Sequence, residues 1–262
     1  MLVIPDSIRR KIGDERYEID DVGMSESSVL LFSDKVLKIQ EDSEEARNEV
    51  EAMQWLEGRL SVPKVIEHVC QDGKLYLVMT RVSGKMACDE CYMNDLEKLT
   101  DLLARALQEL WKVDTCVCPM SWTLDRKLKA AQYSVDNHLV DVENVEPETF
   151  GPDGFKDPEE LLQWLKMHRP EEELVFSHGD FCLPNIFFVE DGRACFIDLV
   201  RTGISDKWQD IALCYRSLKH NFSGKYGGKV YPGYDPDMLF KKLGLEPDWE
   251  KIRYYILLDE LF

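Results

Sequence analysis

The chain has 262 residues, 44% of them hydrophobic, and 50 acidic against 32 basic side chains leave a formal charge of -18. That apolar fraction suits a packed core and is too high for a disordered chain, and no stretch approaches the roughly 18 consecutive apolar residues of a membrane helix. The start, MLVIPDSIRRKIGDE, has no apolar core followed by a small-residue cleavage site, so a cytoplasmic protein is expected, as a monomer or weak dimer. The acidic excess repels a phosphate backbone, which sets nucleic acid aside as a partner along with the membrane. The same excess fits either plain solubility or attraction of a polycationic ligand, and composition does not choose between them.

In chain order, residues 17 to 82 read as strands with one helix. YEIDDVG, SSVLLFS and KVLKIQ are short runs broken by turn residues, and Ser33 with Asp34 can close a hairpin between the second and third. SEEARNEVEAMQWLEG reads as a helix capped by Ser43, with Ala46, Val50, Met53 and Leu56 at helical spacing and Gly58 as its stop. VPKVIEHVCQ and KLYLVMTRV then form a hairpin across Asp72 and Gly73. The sum is an antiparallel sheet of about five strands with one helix. From residue 94 onward helices dominate. Leu96, Leu99, Leu103, Ala106, Leu107 and Leu110 share one face. Asp157 and Pro158 open another helix, and Asp206 can cap KWQDIALCYRSLKH. Asp235, Pro236 and Gly244 bracket MLFKKL, and PDWEKIRYYILLDELF is expected to run as a helix to the end. The join lies in TRVSGKM, so the division expected is residues 1–82, a sheet lobe, and residues 83–262, a helical lobe.

The eight cysteines do not read as a disulfide framework in a reducing compartment. Cys88 with Cys91 and Cys116 with Cys118 offer four thiolates to a zinc ion, the second pair at unusual spacing, and Cys195 reads as core.

The chemistry concentrates in SHGDFCLPNIFFVEDGRACFIDLV, residues 177–200. Asp180 and Asn185 stand five residues apart, a hairpin follows, and Asp198 leaves its second strand. In kinases an aspartate and an asparagine at that spacing share a catalytic loop. The aspartate orients or accepts the proton of the attacking hydroxyl, the asparagine holds magnesium, and a second aspartate after a hairpin holds magnesium against the phosphates. A sheet lobe before a helical lobe agrees, so the fold class expected is α+β, a bilobal protein-kinase-like fold.

HGDxxxxN followed by IDL and Arg201 resembles the aminoglycoside phosphotransferases. FKDPEEL, RPEEELVFSHGD, DKWQDIALCYRS and PDWEKIRYYILLDELF extend the resemblance to the 3′-phosphotransferases, above all the type III enzyme of Gram-positive cocci, over nearly the whole chain. The resemblance implies phosphorylation of the 3′-hydroxyl of an aminoglycoside with ATP and Mg2+, which is resistance by modification. It implies Asp180 as catalytic base, Asn185 and Asp198 as magnesium ligands, and Arg201 near the transferring phosphoryl group and the substrate. It makes Lys38 the strand lysine on the α- and β-phosphates and Glu49 the glutamate that orients it. GMSESS, residues 23–28, becomes the loop over the phosphates, with Ser25 and Ser27 in it. Met79 lines the adenine pocket, with backbone near Arg81 and Val82 on the base. Asp210 buttresses the catalytic loop and His178 braces it. Asp259, Glu260 and the Phe262 carboxylate face the substrate ammonium groups, and the acid-rich stretch 136–160 is either a positioning loop or a solvated one.

The chain also departs from that pattern. Val36 replaces an aromatic residue that stacks on adenine, and Val200 replaces a glycine. Leu183, His220 and Asn221 stand where relatives carry acids. These positions bear on the acceptor, so a kinase of this fold for a different alcohol stays open, as does a nucleotide-binding module without catalysis.

Overall fold

A computed structural model describes residues 4–20, 27–225 and 228–262, so Ser25 lies outside the described residues. The chain walks through α1 (Asp6–Ile12), β1 (Glu18–Asp20), β2 (Ser28–Leu31), β3 (Lys35–Glu41), α2 (Glu44–Leu56), β4 (Val65–Gln71), β5 (Lys74–Thr80) and β6 (Lys85–Met86). It continues with α3 (Glu90–Met93), α4 (Leu96–Leu110), α5 (Leu124–Asp136), α6 (Pro158–Met167) and β7 (Leu174–Ser177). Then come β8 (Ile186–Phe188), β9 (Ala194–Phe196), β10 (Gly203–Asp206), α7 (Lys207–Ser223), α8 (Met238–Leu243) and α9 (Trp249–Asp259).

Two units result, Met1–Ala87 with Pro184–Thr202 and Cys88–Leu183 with Gly203–Phe262. The first unit therefore takes in a hairpin that a boundary at residue 82 leaves in the helical part. Strand pairing is the reason. The two-residue β6 pairs with β8, which pairs with β9, and the Ala87 amide donates to Ile186 O at 2.8 Å. Gly84, at φ 126°, lets the chain pass there, because a Cβ at that position would meet Phe188 O at 2.6 Å.

The main sheet of the first unit is antiparallel, in the order β1-β2-β3-β5-β4. The five strands and α2 are those the sequence predicts. Ser43 Oγ accepts from the Ala46 amide at 3.0 Å, and Asp72 and Gly73 both take positive φ, 51° and 76°, as a two-residue hairpin turn requires. Helix α1 is an addition. Its seven residues are too few for a helical period to stand out, yet Ile8 and Ile12 join Leu30, Phe32, Leu37, Ile39, Tyr76 and Val78 in one buried cluster.

In the second unit the caps expected at Asp157 and Asp206 form, whereas α8 starts after Asp237 without a side-chain cap. Asp157 accepts from the Glu160 amide at 2.9 Å and Asp206 from the Trp208 amide at 3.2 Å. Gly244 ends α8 in the left-handed conformation, φ 70°. Helix α9 stops at Asp259 instead of running to the end. The last residues close in tight turns, Leu261 N to Leu258 O and Phe262 N to Asp259 O, each at 3.3 Å. Antiparallel pairing of β7 with β10 sets Ser177 opposite Gly203 and so places the start of the loop that carries Asp180 at the head of α7.

Candidate active site

The loop carrying Asp180 leaves β7 and is clamped by the first turn of α7. His178 N and Gly179 N donate to the two carboxylate oxygens of Asp210 at 2.8 and 3.0 Å. Asp210 is fully buried, and burial pushes its carboxyl above the usual carboxylate range while His178 and the two amides pull the other way. Gly179 takes φ 88°, a conformation that residues with a side chain rarely adopt. Asp180 N reaches His178 Nδ1 at 3.3 Å, and Asp180 O accepts from Cys182 N at 2.9 Å. The aspartate that the sequence singles out thus sits in a short turn held on both sides.

The first unit gathers a second set of charges. Lys38 on β3 is buried, and its ammonium bonds Glu49 Oε2 at 2.9 Å, Glu49 Oε1 at 3.1 Å and Asp198 Oδ1 at 2.7 Å. Burial alone would lower that ammonium, but the two carboxylates outweigh it and hold it above lysine's ordinary value. Glu49, 1% exposed on α2, also accepts from Gln40 Nε2 at 3.0 Å. Asp198 adopts φ 58°, a left-handed conformation that aspartate tolerates better than most residues. Asn185 and Asp198 stand at one end of the β8–β9 hairpin, where the Ile197 amide donates to Asn185 O at 3.0 Å.

One residue here escapes sequence reasoning. Asn48, buried on α2 beside Glu49, donates through Nδ2 to Val200 O at 2.9 Å and Thr202 O at 3.2 Å, and so pins the segment that follows Asp198. The signal available was an asparagine on the apolar face of an amphipathic helix. Arg201 in that segment bonds both Glu45 oxygens at 3.3 Å.

Of the positions expected beside an adenine, Val36 and Met79 are cross-strand partners and both are buried. The Arg81 amide donates to Asp34 O at 2.9 Å, and Arg81 Nη1 donates to Phe32 O at 2.7 Å. Val82 is half-buried, as is Ser27.

The C-terminal acids are not bare. Arg216 of α7 bonds Asp259 and also reaches Glu260 Oε1 at 3.3 Å. Glu260 Oε2 accepts from the Glu146 amide at 3.0 Å. Burial, with Asp259 and Glu146 alongside, outweighs Arg216 and pushes the Glu260 carboxyl up to about 7. Glu146 belongs to the acid-rich stretch, and its Oε1 lies 2.8 Å from His220 Nε2 and 2.7 Å from Lys225 Nζ. The His220 contact, with Lys225 behind it, holds the Glu146 carboxyl down at about 2. Leu183 is fully buried with its amide on Ser217 Oγ at 2.9 Å, and Asn221 Nδ2 donates to Ser217 O at 2.8 Å. Leu183, His220 and Asn221, the three positions where the resemblance leads to an expectation of acids, are therefore engaged in the fold. No group of three or more His, Cys, Asp or Glu placed to hold a metal occurs among the described residues, and Cys88, Cys91, Cys116 and Cys118 form no such group.

Residues 19–255 match the phosphotransferase enzyme family. Over 246 residues the chain is 42% identical to an aminoglycoside 3′-phosphotransferase of Enterococcus faecalis, covering 92% of this chain and 87% of that one. Over 223 residues it is 43% identical to one of Staphylococcus aureus, covering 83% and 80%. Its structure is similar to that of an aminoglycoside phosphotransferase of Streptomyces rimosus solved with ADP and streptomycin, with a TM-score of 0.77, 22% identity, and coverage of 97% and 95%. At that identity the likeness concerns the fold, the kinase-like α+β arrangement that the sequence predicts.

Proposed function

The chain belongs to the phosphotransferase enzyme family, with aminoglycoside 3′-phosphotransferases as its relatives, and from that premise we propose that it transfers the γ-phosphoryl group of ATP to the 3′-hydroxyl of an aminoglycoside, a modification that confers antibiotic resistance. The observation that carries this reading is the Lys38–Glu49–Asp198 set, with Lys38 and Glu49 buried and bonds of 2.9 and 2.7 Å. A lysine oriented by a buried glutamate is a fixed point charge for the α- and β-phosphates. Met79 and Val36 supply the apolar wall for adenine, with less area than a stacked ring would give. Because the Arg81 amide is committed to Asp34, Val82 is the backbone assigned to the base. Ser25 and Ser27 are assigned to the phosphate loop.

Asn185 and Asp198 fit a hard divalent cation, because both offer oxygen and stand at one end of a hairpin. They would hold Mg2+, which when bound neutralises charge on the β- and γ-phosphates. In the transfer, the 3′-oxygen forms a bond to the γ-phosphorus while the bond from that phosphorus to the β,γ-bridging oxygen breaks and ADP leaves. The hydroxyl proton goes to the Asp180 carboxylate. Arg201, steadied by Glu45, is assigned to the phosphoryl group and the substrate. Asp259, Glu260 and the Phe262 carboxylate face ammonium groups, with charge-assisted hydrogen bonds as the attraction. Arg216 offsets part of that charge, and Glu146 ties the acid-rich stretch to the same end of the chain.

A second reading, a different alcohol as acceptor, is favoured by one observation: Leu183, His220 and Asn221 are built into the fold and offer no carboxylate. No helix among the described residues is long and apolar enough to cross a membrane. The proposal places the protein in the cytoplasm, where ATP is available, as a monomer or weak dimer without nucleic acid. Release of ADP by the purified protein tests the coupling. It is expected to rise at least about tenfold when an aminoglycoside is added and to vanish with a magnesium chelator. Release that is indifferent to the aminoglycoside would favour the second reading.

A further inference from the structure

The roles proposed above concern nucleotide, metal and antibiotic. One buried cluster in the second unit reaches the catalytic loop from behind. Lys127, in the first turn of α5, is 2% exposed. Its ammonium donates to Ser205 Oγ at 2.6 Å and to Gln209 Oε1, and it lies 5.6 Å from the centre of the Tyr255 ring. Gln209, itself buried in the first turn of α7, donates through Nε2 to Gly179 O at 2.9 Å. An ammonium has donors only, so Lys127 takes the amide oxygen of Gln209 and leaves the NH2 end for Gly179. The carbonyl of Gly179 and the amide of Asp180 share one rigid peptide plane. That plane is therefore bonded at both ends, by Gln209 at its oxygen and by His178 Nδ1 at its nitrogen. Asp210 fixes the two preceding amides and does not touch this plane.

Gly179 has no Cβ to restrict rotation, and its φ of 88° lies where glycine is free on both sides. The direction of Asp180 must then be set from outside. We propose that Lys127 and Gln209 are positioning residues for the transfer: Lys127 fixes the orientation of the Gln209 amide, and Gln209 holds the peptide that aims Asp180. This rests on Asp180 being the catalytic base. It accounts for a lysine buried at a cost that packing alone would not require. Two residues 82 apart in sequence thereby act on one peptide plane.

The test uses the full chain and three variants. Gln209→Glu keeps size and a partner for Lys127 but removes the donor to Gly179. Lys127→Met fills the space and frees the amide to turn. Lys127→Arg keeps a buried donor. For Gln209→Glu and Lys127→Met, kcat is expected to fall about 10- to 100-fold while KM for ATP and for the aminoglycoside stays within about twofold. Lys127→Arg is expected to recover most of the loss. Amide hydrogen exchange of the peptide covering residues 177–183 is expected to rise in the first two variants while α9 keeps its protection. Parental kcat and exchange in Gln209→Glu would overturn the proposal. So would a loss of kcat that tracks a general loss of exchange protection. If the parent transfers nothing to aminoglycosides, the functional reading fails separately, and loop exchange still decides whether Gln209 holds the peptide.

Discussion

Asp180→Asn is expected to lower aminoglycoside phosphorylation by about 10²- to 10⁴-fold, the usual contribution of a positioned proton acceptor, with ATP affinity nearly unchanged. Asparagine keeps the shape of the side chain and the backbone bonds of the loop, to His178 Nδ1 and from Cys182 N. What it loses is the ability to take a proton at neutral pH. The Cys182 thiol is pushed far up by burial and by Asp180 itself, so it stays protonated and is no substitute base. Lys38, assigned to the nucleotide, and Asp198, assigned to Mg2+, belong to the other unit. Product measured by mass spectrometry and ATP affinity measured by calorimetry separate the two effects. A variant that keeps a tenth or more of the parent rate would remove Asp180 from the role of base.

Lys38→Met has the largest expected effect on stability. Methionine fills the space, but it leaves the buried Glu49 carboxylate and Asp198 without their shared cation. Removing one partner of a buried ion pair costs about 3–5 kcal/mol, because the charge left behind keeps its desolvation penalty. Gln40 still donates to Glu49 at 3.0 Å, which favours the lower end of that range. Denaturant unfolding is expected to show the loss in the midpoint. ATP affinity is expected to fall along with it, since the same ammonium is assigned to the phosphates. An unchanged midpoint would mean that the three groups are not thermodynamically coupled. A lowered midpoint with parental ATP affinity would take Lys38 out of the nucleotide site.

The spacing of Asp180, Asn185 and Asp198 was legible because a kinase-like loop and hairpin fix it along the chain. The helix caps at Ser43, Asp157 and Asp206 were legible for the same reason, since a cap acts within three residues. What stayed hidden depends on contacts with no period and no local signature. Arg216 lies 43 residues from Asp259, so the C-terminal acids read as bare carboxylates until the pairing is seen. The β8–β9 hairpin joins the first unit through a two-residue strand, too short for alternation to register. Asn48, Lys127 and Gln209 look like ordinary polar positions on amphipathic helices, and only their burial against backbone or loop gives them meaning. His220 and Asn221 read as missing acids. In the fold they are a contact for Glu146 and a cap on the Ser217 carbonyl.

The most direct test of the account is the product itself. Purified protein, Mg-ATP and kanamycin are incubated beside an analogue that lacks the 3′-hydroxyl, and both are read by mass and by phosphorus NMR. The account predicts one added phosphate on kanamycin, at the 3′-oxygen, and none on the analogue. Phosphate on both, or on neither while ATP still binds, would contradict transfer to the 3′-hydroxyl.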